Sequence, residues 1–208
     1  MTDNKETVFI VDDDEDIRSS LTRSLSKRGF VVETFDSAQA FLDAYEPGLS
    51  GCIILDYGMI GMNGLELQQK LVTEGRALPI VFITGHGGVP ESVQAMKAGA
   101  VDFLEKPFRT DTLVERIRQA LKISAATSET RKKALRAKMM LDTLTTRERE
   151  IVDMIVSNPS NTTSKEIARA LQISPRTVDH HRARILEKMQ ANSMVELIDL
   201  AIASQRLS

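Results

Sequence analysis

The segment Val8-Phe9-Ile10-Val11-Asp12-Asp13 joins four apolar residues to two carboxylates, and the following hundred residues repeat its pattern. Short apolar runs recur, and segments with the apolar spacing of a helix separate them. This alternation predicts βαβ units and a parallel sheet that helices cover on both faces. The apolar runs occupy residues 8–11, 31–34, 52–55, 80–84 and 101–104, and the helical segments occupy residues 17–28, 38–44, 64–73, 89–98 and 110–123.

Five strands that alternate with five helices indicate a (βα)5 doubly wound domain with a parallel sheet of order 2-1-3-4-5. Glycines in this half of the chain agree with the predicted ends of the helices. Gly29, Gly75 and Gly99 each follow a helical segment, where a left-handed cap favours glycine.

The overall composition is that of a globular protein. The 208 residues are 27% charged and 42% apolar, which suggests one or two domains and excludes disordered, collagen-like and disulfide-scaffold classes. The apolar runs are far shorter than the ~18 residues of a membrane span, and the N-terminus has no apolar signal core. The single cysteine, Cys52, fits a reducing compartment. We therefore expect a soluble, cytoplasmic protein with no membrane partner.

The charge is divided unevenly along the chain. Residues 1–123 carry 13 Lys and Arg and 19 Asp and Glu, a net charge of −6, whereas residues 124–208 carry 14 and 10, a net charge of +4. An acidic half joined to a basic half suggests two tasks, one of them at a nucleic acid, although chance can also produce such a division.

The apolar pattern of the basic half predicts helices and no strands. Residues 143–208 are expected to form an all-α four-helix domain, after a first domain at 1–123 and a linker at 124–142. The linker contains no Gly or Pro, so it can extend the preceding helix, and a flexible tether is the alternative. Thr146 is a candidate N-cap, and Ser174 before Pro175 gives an N-cap with proline at the first helical position.

Acidic residues collect where two predicted strands end. Asp12 and Asp13 follow the first strand and Asp56 follows the third, and these strands are neighbours in a sheet of order 2-1-3-4-5. The three carboxylates are therefore expected to converge. Two unit charges ~4 Å apart repel by about 4 kcal/mol at an effective dielectric of about 20, so the site needs a bound cation or protonation. Oxygen ligands at an open rim suit Mg²⁺.

Thr84 and Lys106 end the fourth and fifth strands. A hydroxyl, an ammonium group and a metal around one carboxylate would balance a phosphoryl group. A cis peptide bond is expected between Lys106 and Pro107. Asp56 alone could be an ordinary turn residue, but the whole set of residue types at successive strand ends favours a site.

These motifs resemble the receiver domain of two-component response regulators over residues 7–123, and most of all the FixJ branch of the NarL/FixJ subfamily. The matching segments are Val11-Asp12-Asp13, Leu55-Asp56 with Gly64, Ile83-Thr84-Gly85-His86-Gly87, and Met96 to Phe108 with its Lys106-Pro107-Phe108 end.

The resemblance implies a role for each site residue. Asp56 is the phosphoacceptor and attacks a phosphohistidine of a sensor histidine kinase. Thr84 binds the phosphoryl oxygen after transfer and Lys106 pairs with it, while Phe103 occupies the place of the switch aromatic or is simply a core strand residue. The Mg²⁺ ligands implied by the family are Asp13, Asp56 and the carbonyl of Gly58, with Asp12 through water.

Two departures from the receiver pattern leave alternatives open. Asp14 is a third consecutive acid, so the pair of metal ligands is assigned to Asp12 and Asp13 by adjacency to the strand. Ile60 stands where the family usually has proline, and Gly58 removes a side chain beside the site. A receiver that works without phosphorylation therefore remains an alternative.

Residues 142–208 resemble the LuxR-type helix-turn-helix domain, on Leu144 to Glu150, Lys165-Glu166-Ile167-Ala168 and Ile173 to Arg182. Val178, Ile185 and Met189 share one face of a helix, which leaves the opposite, basic face for the major groove of double-stranded DNA. The connection at residues 158–163 is longer than is usual in the family, and we expect a surface loop. The DNA-binding residues expected from the match are Lys165, Arg176, Thr177, Asp179, His180, Arg182, Ala183, Arg184 and Lys188.

The sequence thus predicts a DNA-binding response regulator that is switched by phosphorylation. It would form a homodimer on phosphorylation, act with RNA polymerase and more readily activate transcription than repress it. Its only chemistry would be its own phosphorylation and dephosphorylation. An aspartate-nucleophile phosphohydrolase is the enzyme alternative, which the basic helical half and the missing cap-sized insertion disfavour.

Overall fold

The computed structural model describes residues 6–76, 78–85, 89–158 and 163–205. The chain forms two compact units, Met1–Ser128 and Glu129–Ser208. The segment boundaries at 123 and 142 that the sequence suggests stay predictions. Within the described ranges, no helix combines the length and the apolar character needed to cross a bilayer.

The first unit alternates strands and helices as expected. Its strands are β1 (Thr7–Val11), β2 (Val31–Phe35), β3 (Gly51–Asp56), β4 (Ile80–Thr84) and β5 (Asp102–Glu105). The helices between them are α1 (Glu15–Ser26), α2 (Ala38–Ala44), α3 (Gly64–Thr73) and α4 (Val89–Lys97), and α5 (Thr110–Asp142) follows β5.

The strands form one parallel sheet of order β2-β1-β3-β4-β5, which confirms the predicted doubly wound topology. Side chains of the three central strands, β1, β3 and β4, alternate between two buried layers. Phe9, Ile53 and Phe82 lie in one layer with α2 and α3. Ile10 and Ile54 lie in the other, with α1 and α5. Both faces are therefore covered, and the open edge at the strands' carboxyl ends is left for polar groups.

Local signals at the helix ends are also confirmed. The backbone φ angles of Gly29, Gly75 and Gly99 are 87°, 66° and 92°, the left-handed conformation that favours glycine. Asp14 is the N-cap of α1, and its carboxylate accepts from the amides of Asp16 and Ile17. The third acid of the run therefore has a capping role. The Lys106–Pro107 peptide bond is cis, as predicted.

Helix α5 does not end near residue 123. It continues through residues 124–142, so the linker segment is helical in the structure. Ser124 is buried, and its hydroxyl accepts from the amide of Gly51 at 3.0 Å, which ties this part of the helix to the start of β3.

The second unit contains four further helices, α6 (Thr146–Ser157), α7 (Ser164–Leu171), α8 (Pro175–Lys188) and α9 (Met194–Gln205). Their core includes Ile151, Ile167, Val178, Ile185 and Leu197. Ser174 caps α8 and Pro175 occupies its first position, as predicted. Most of the connection at 158–163 lies outside the described residues.

The N-cap predicted at Thr146 is wrong by one residue. Thr145 is the N-cap of α6, because its hydroxyl accepts from the amide of Glu148 while the Glu148 carboxylate accepts from the amide of Thr145. Glu148 is buried and also accepts from the Lys188 ammonium at 2.6 Å. Burial alone would raise its pKa, but the bonds from Lys188 and Thr145 outweigh it and lower the pKa from 4.5 to about 2.

Replacing Glu148 with glutamine is expected to destabilise the second unit by about 2 kcal/mol at pH 7, because a charge-assisted bond in a buried place is lost. A depressed folded-state pKa stabilises above the unfolded value, so this contribution should disappear as the pH falls from 4.5 towards about 2. Thermal unfolding of both proteins at pH 7 and at pH 3 measures the difference.

Glu150→Gln is the matched control, since this carboxylate pairs with Arg147 at 2.7 Å but its side chain is 45% exposed. It should change the free energy of unfolding by less than about 0.5 kcal/mol. Equal effects of the two substitutions at pH 7 would contradict the structural role of Glu148.

Candidate functional site

The carboxyl ends of β1 and β3 bring two buried carboxylates to one lysine. Asp12 is 1% exposed and Asp56 is 7% exposed. The Lys106 ammonium donates to Asp12 Oδ2 at 2.9 Å and to Asp56 Oδ1 at 2.8 Å. Lys106 follows β5, and its backbone amide donates to the carbonyl of Thr84 at 2.7 Å. The strand order therefore assembles residues from four strands at one edge of the sheet.

The pKa values of this cluster follow from burial and from the neighbouring charges. Burial and the charge of Asp56 raise the pKa of Asp12 above its ordinary value, against the lowering effect of the bonds from Lys106 and from the amide of Asp14. Burial would lower the pKa of Lys106, but its bonds to the two carboxylates outweigh this and raise it. The lysine is therefore a fixed positive charge beside Asp56.

Backbone amides engage the remaining carboxylate oxygens. The amide of Gly58 donates to Asp56 Oδ2 at 2.8 Å, and the amide of Ile60 donates to Asp13 Oδ2 at 3.0 Å. Asp13 is exposed, and the side chain of Ile60 is 89% exposed. The loop after β3 is thus held to the carboxylates through its backbone.

Of the three carboxylates expected to converge, Asp12 and Asp56 share the Lys106 ammonium group. Among the described residues, no three His, Cys, Asp or Glu side chains are grouped so that they could hold a metal ion. The reason is that Lys106 lies between Asp12 and Asp56, while Asp13 turns to the Ile60 amide. The donor set nevertheless fits Mg²⁺, because carboxylate and carbonyl oxygens are the hard ligands it prefers, and a buried carboxylate with a raised pKa favours a nearby cation.

Thr84 lies on β4, the strand next to the one that carries Asp56, and Phe103 lies on β5, two strands away from Asp56. Thr84 is 2% exposed at the end of β4 and pairs with Glu105 in the sheet register. The ring of Phe103 is half-buried and lies 6.1 Å from the rings of both Phe82 and Tyr57, between centroids. Tyr57 directly follows Asp56, so an aromatic contact connects the phosphoacceptor candidate to the switch candidate.

The helix α8 has a buried face and an exposed face, as predicted. Val178, Ile185 and Met189 are fully buried. The exposed residues of α8 include two arginines, a hydroxyl, a carboxylate, an imidazole and a small side chain. Lys165 on α7 is also exposed. The exposed α8 residues from the predicted DNA-binding set are Arg176, Thr177, Asp179, His180, Ala183 and Arg184.

Four residues of that set already have intramolecular partners. The hydroxyl of Ser164 donates to Asp179 Oδ1 at 2.5 Å and accepts from Arg182 at 3.1 Å. The Thr177 hydroxyl lies 2.8 Å from the hydroxyl of the cap residue Ser174. Lys188 binds Glu148, as described above. Direct contact with DNA would therefore use the other carboxylate oxygen of Asp179 and the ammonium proton that Lys188 has left beside its bonds to Glu148 and the carbonyl of Thr143.

Sequence reasoning missed Ser164, Glu148 and Tyr57. The spacing Thr145-x-x-Glu148 is a capping-box signal that identifies Glu148 as a structural acid. Tyr57 could be singled out because it follows the phosphoacceptor candidate. No sequence signal links Ser164 with Asp179, since their pairing depends on how α7 and α8 pack.

Comparison with known families matches both halves of the chain. Residues 8–118 match the response regulator receiver domain, and residues 142–201 match the LuxR family of bacterial regulatory proteins.

Individual proteins are similar to the chain over almost its whole length. The transcriptional regulatory protein FixJ of Bradyrhizobium diazoefficiens is 43% identical over 202 residues, which are 97% of each protein. The transcriptional regulatory protein TdiR of Thauera aromatica is 41% identical over 95% of this chain and 86% of its own. Among solved structures, the response regulator StyR is 40% identical with a TM-score of 0.81, covering 95% of this chain and 98% of that one. Full-length FixJ from B. japonicum is 41% identical with a TM-score of 0.57, covering 98% and 99%.

Proposed function

The chain belongs to the response regulators that join a receiver domain to a LuxR-type DNA-binding domain, and we propose that Asp56 is the residue through which it is switched. The protein is a DNA-binding response regulator. The observation that carries the proposal for Asp56 is the position of the Lys106 ammonium, 2.8 Å from its carboxylate at the end of the buried strand β3.

Phosphoryl transfer to Asp56 uses groups that the chain already holds in place. A carboxylate oxygen of Asp56 attacks the phosphorus of a phosphohistidine on a sensor histidine kinase, the new O–P bond forms, and the P–N bond breaks as the histidine leaves. Lys106 offsets negative charge on the carboxylate and then on the phosphoryl oxygens. The Gly58 amide holds the carboxylate in one orientation.

Asp12, Asp13, Asp56 and the carbonyl of Gly58 would hold the Mg²⁺ that receiver domains use at this place. When bound, the ion supplies positive charge that neutralises the phosphoryl oxygens. Asp13 would offer its Oδ1 atom, since its Oδ2 atom accepts from the Ile60 amide at 3.0 Å. The receiver catalyses only its own phosphorylation and dephosphorylation in this proposal.

Thr84 and Phe103 would transmit the modification. The Thr84 hydroxyl binds a phosphoryl oxygen, and the ring of Phe103 repacks against Tyr57 and Phe82. The receiver then favours a homodimer, which presents two α8 helices to a two-fold site on DNA. A switch from 1:99 to 99:1 needs about 5.5 kcal/mol of preference for one state.

The exposed residues of α7 and α8 would contact different parts of the DNA. Lys165, Arg176 and Arg184 are exposed cations suited to phosphates, and His180 and Ala183 lie on the face that enters the groove. Asp179 and Arg182 would act through Ser164, and Lys188 would act from its place beside Glu148. Binding at a promoter then leads to contact with RNA polymerase and to activation. A partner that is chromosomal DNA implies a cytoplasmic location.

The test is incubation of the full chain with acetyl phosphate and Mg²⁺, followed by intact mass and sedimentation. We expect one added phosphoryl group for each chain and a shift from monomer towards dimer. Tighter binding to the protein's own promoter region should accompany the shift. A dimer that forms equally without the phosphodonor, with no added mass, would instead favour a receiver that works without phosphorylation, as the departure at Ile60 suggests.

A further inference from the structure

The last part of α5 carries a dense group of cations that the functions above do not use. Between Glu129 and Asp142 the helix has five Lys or Arg residues and only these two acids, which flank the group. The five side chains are exposed. We call this group the linker cations: Arg131, Lys132, Lys133, Arg136 and Lys138.

The linker cations belong to the same compact unit as the DNA-binding helix. This unit begins at Glu129, and Met140 and Leu141 of α5 pack against its core. Arg136 donates to the side-chain oxygen of Gln190 at 2.6 Å, and Arg149 donates to the carbonyl of Leu141 at 2.6 Å. The helix segment is therefore fastened beside the residue that lies two positions after the end of α8.

The arrangement of the segment disfavours its pairing with a second copy of itself. Ala134 and Ala137 are buried on one face. Leu135 and Met139, 54% and 64% exposed, lie on the opposite face and are flanked by linker cations on both sides. Two such faces would place like charges against each other. In the described part of the chain, Arg131, Lys132, Lys133 and Lys138 have no ion-pair partner.

Geometry places a DNA backbone near these cations. The 14 residues of α8 make a helix about 21 Å long. The major groove is only about 12 Å wide, so a helix that enters it by its N-terminal residues leaves its other end near a phosphate strand. Gln190 and Arg136 lie at that other end, and the remaining linker cations follow within about two turns of helix.

We infer that the linker cations form a second, sequence-independent contact with the phosphates that flank the site read by α8. The inference rests on the proposed entry of α8 into the major groove. The partner is double-stranded DNA because the group is a compact array of cations on the DNA-binding unit, and duplex DNA is a dense line of negative charge. The alternative partner is an acidic surface of another protein, and the experiment below distinguishes it from DNA.

The experiment measures the salt dependence of binding to a fluorescent 40-base-pair duplex of mixed sequence, by anisotropy, with the unphosphorylated full chain. The variant replaces four cations with glutamine and leaves Arg136 on Gln190. Each phosphate contact contributes about 0.9 to the slope of log K against log salt. We expect the slope to fall by about 2 or more and the affinity at 50 mM salt to fall at least tenfold. The substitutions are Arg131→Gln, Lys132→Gln, Lys133→Gln and Lys138→Gln.

A charge-matched control removes four exposed cations from the first unit and should leave the slope unchanged. A second variant with arginine at Lys132, Lys133 and Lys138 should retain the wild-type slope, which separates lost charge from lost helix. Circular dichroism verifies that each protein is folded. The control substitutions are Lys70→Gln, Lys97→Gln, Arg109→Gln and Arg118→Gln.

Equal slopes for wild type and the glutamine variant would overturn the inference and leave the proposed function standing. A variant that binds duplex normally but fails to activate RNA polymerase in transcription would also overturn it, in favour of a protein partner. A wild-type chain that binds neither this duplex nor its own promoter region would overturn the proposed function together with the inference.

Discussion

Asp56→Asn is expected to abolish phosphoryl incorporation from acetyl phosphate and, with it, phosphorylation-dependent dimerisation. The amide has nearly the shape of the carboxylate, so its oxygen can still accept from the amide of Gly58. It lacks the nucleophilic anion, and Lys106 keeps its bond to the charged Asp12. Intact mass after incubation with acetyl phosphate and Mg²⁺ should show no added phosphoryl group.

Asp14→Asn is the matched control for that substitution. Asp14 is exposed and caps α1 through its side-chain oxygen, and asparagine is an equally good N-cap. This variant should take up one phosphoryl group as the wild type does. Phosphorylation that survives in Asp56→Asn and is lost in Asp14→Asn would move the phosphoacceptor to the run of acids after β1.

Gly64→Ala is expected to have the largest effect on the stability of the receiver. Gly64 begins α3, and a β-carbon there would lie 2.4 Å from the carbonyl oxygen of Asp56 and 2.9 Å from Phe82 Cε1. The first of these atoms is backbone, so relief requires β3 and α3 to move apart just where Asp56 is placed. We expect a loss of about 3 kcal/mol, together with slower phosphorylation.

Hydrogen exchange of the amides in β1, β3 and β4 measures this loss, because buried strands report the opening of the whole unit. Gly85→Ala serves as the control, since its β-carbon would have no atom of the described residues within 4 Å. It should leave the exchange of these strands within about 0.5 kcal/mol of the wild type. Unchanged protection in Gly64→Ala would mean that α3 can shift without disturbing the strand that carries Asp56.

Much of the receiver could be predicted because its strands are buried on both faces. Fully buried strands read as continuous apolar runs, and the polar residue after each run marks the edge of the sheet. Asp12, Asp56, Thr84 and Lys106 were found in this way. What the pattern does not contain is which groups bond to each other, such as the Ile60 backbone amide and the Asp13 carboxylate.

Residues 124–142 and the DNA-binding helix α8 show a second limit of prediction from sequence, which is that long-range contacts cannot be predicted. The sequence of residues 124–142 is compatible with a helix or with a flexible tether, because helix-forming residues alone do not keep an isolated segment helical. The contacts that hold it, from Ser124 to Gly51 and from Arg136 to Gln190, join residues far apart in sequence. The partners of Asp179 and Lys188 lie 15 and 40 residues away in sequence, so their bonds with Ser164 and Glu148 could not be predicted from the spacing of residues.

The aromatic contact beside Asp56 has a practical consequence for spectroscopy. The chain contains no tryptophan and only two tyrosines. The ring of Tyr57 packs against Phe103, whereas Tyr45 packs against Phe41 with the guanidinium of Arg76 5.0 Å from its ring. Tyrosine emission from the unlabelled protein is therefore the sum of one ring in contact with Phe103 and one ring that packs elsewhere. If Phe103 repacks as proposed above, the emission of Tyr57 should change on phosphorylation, and a Tyr45→Phe variant would report Tyr57 alone.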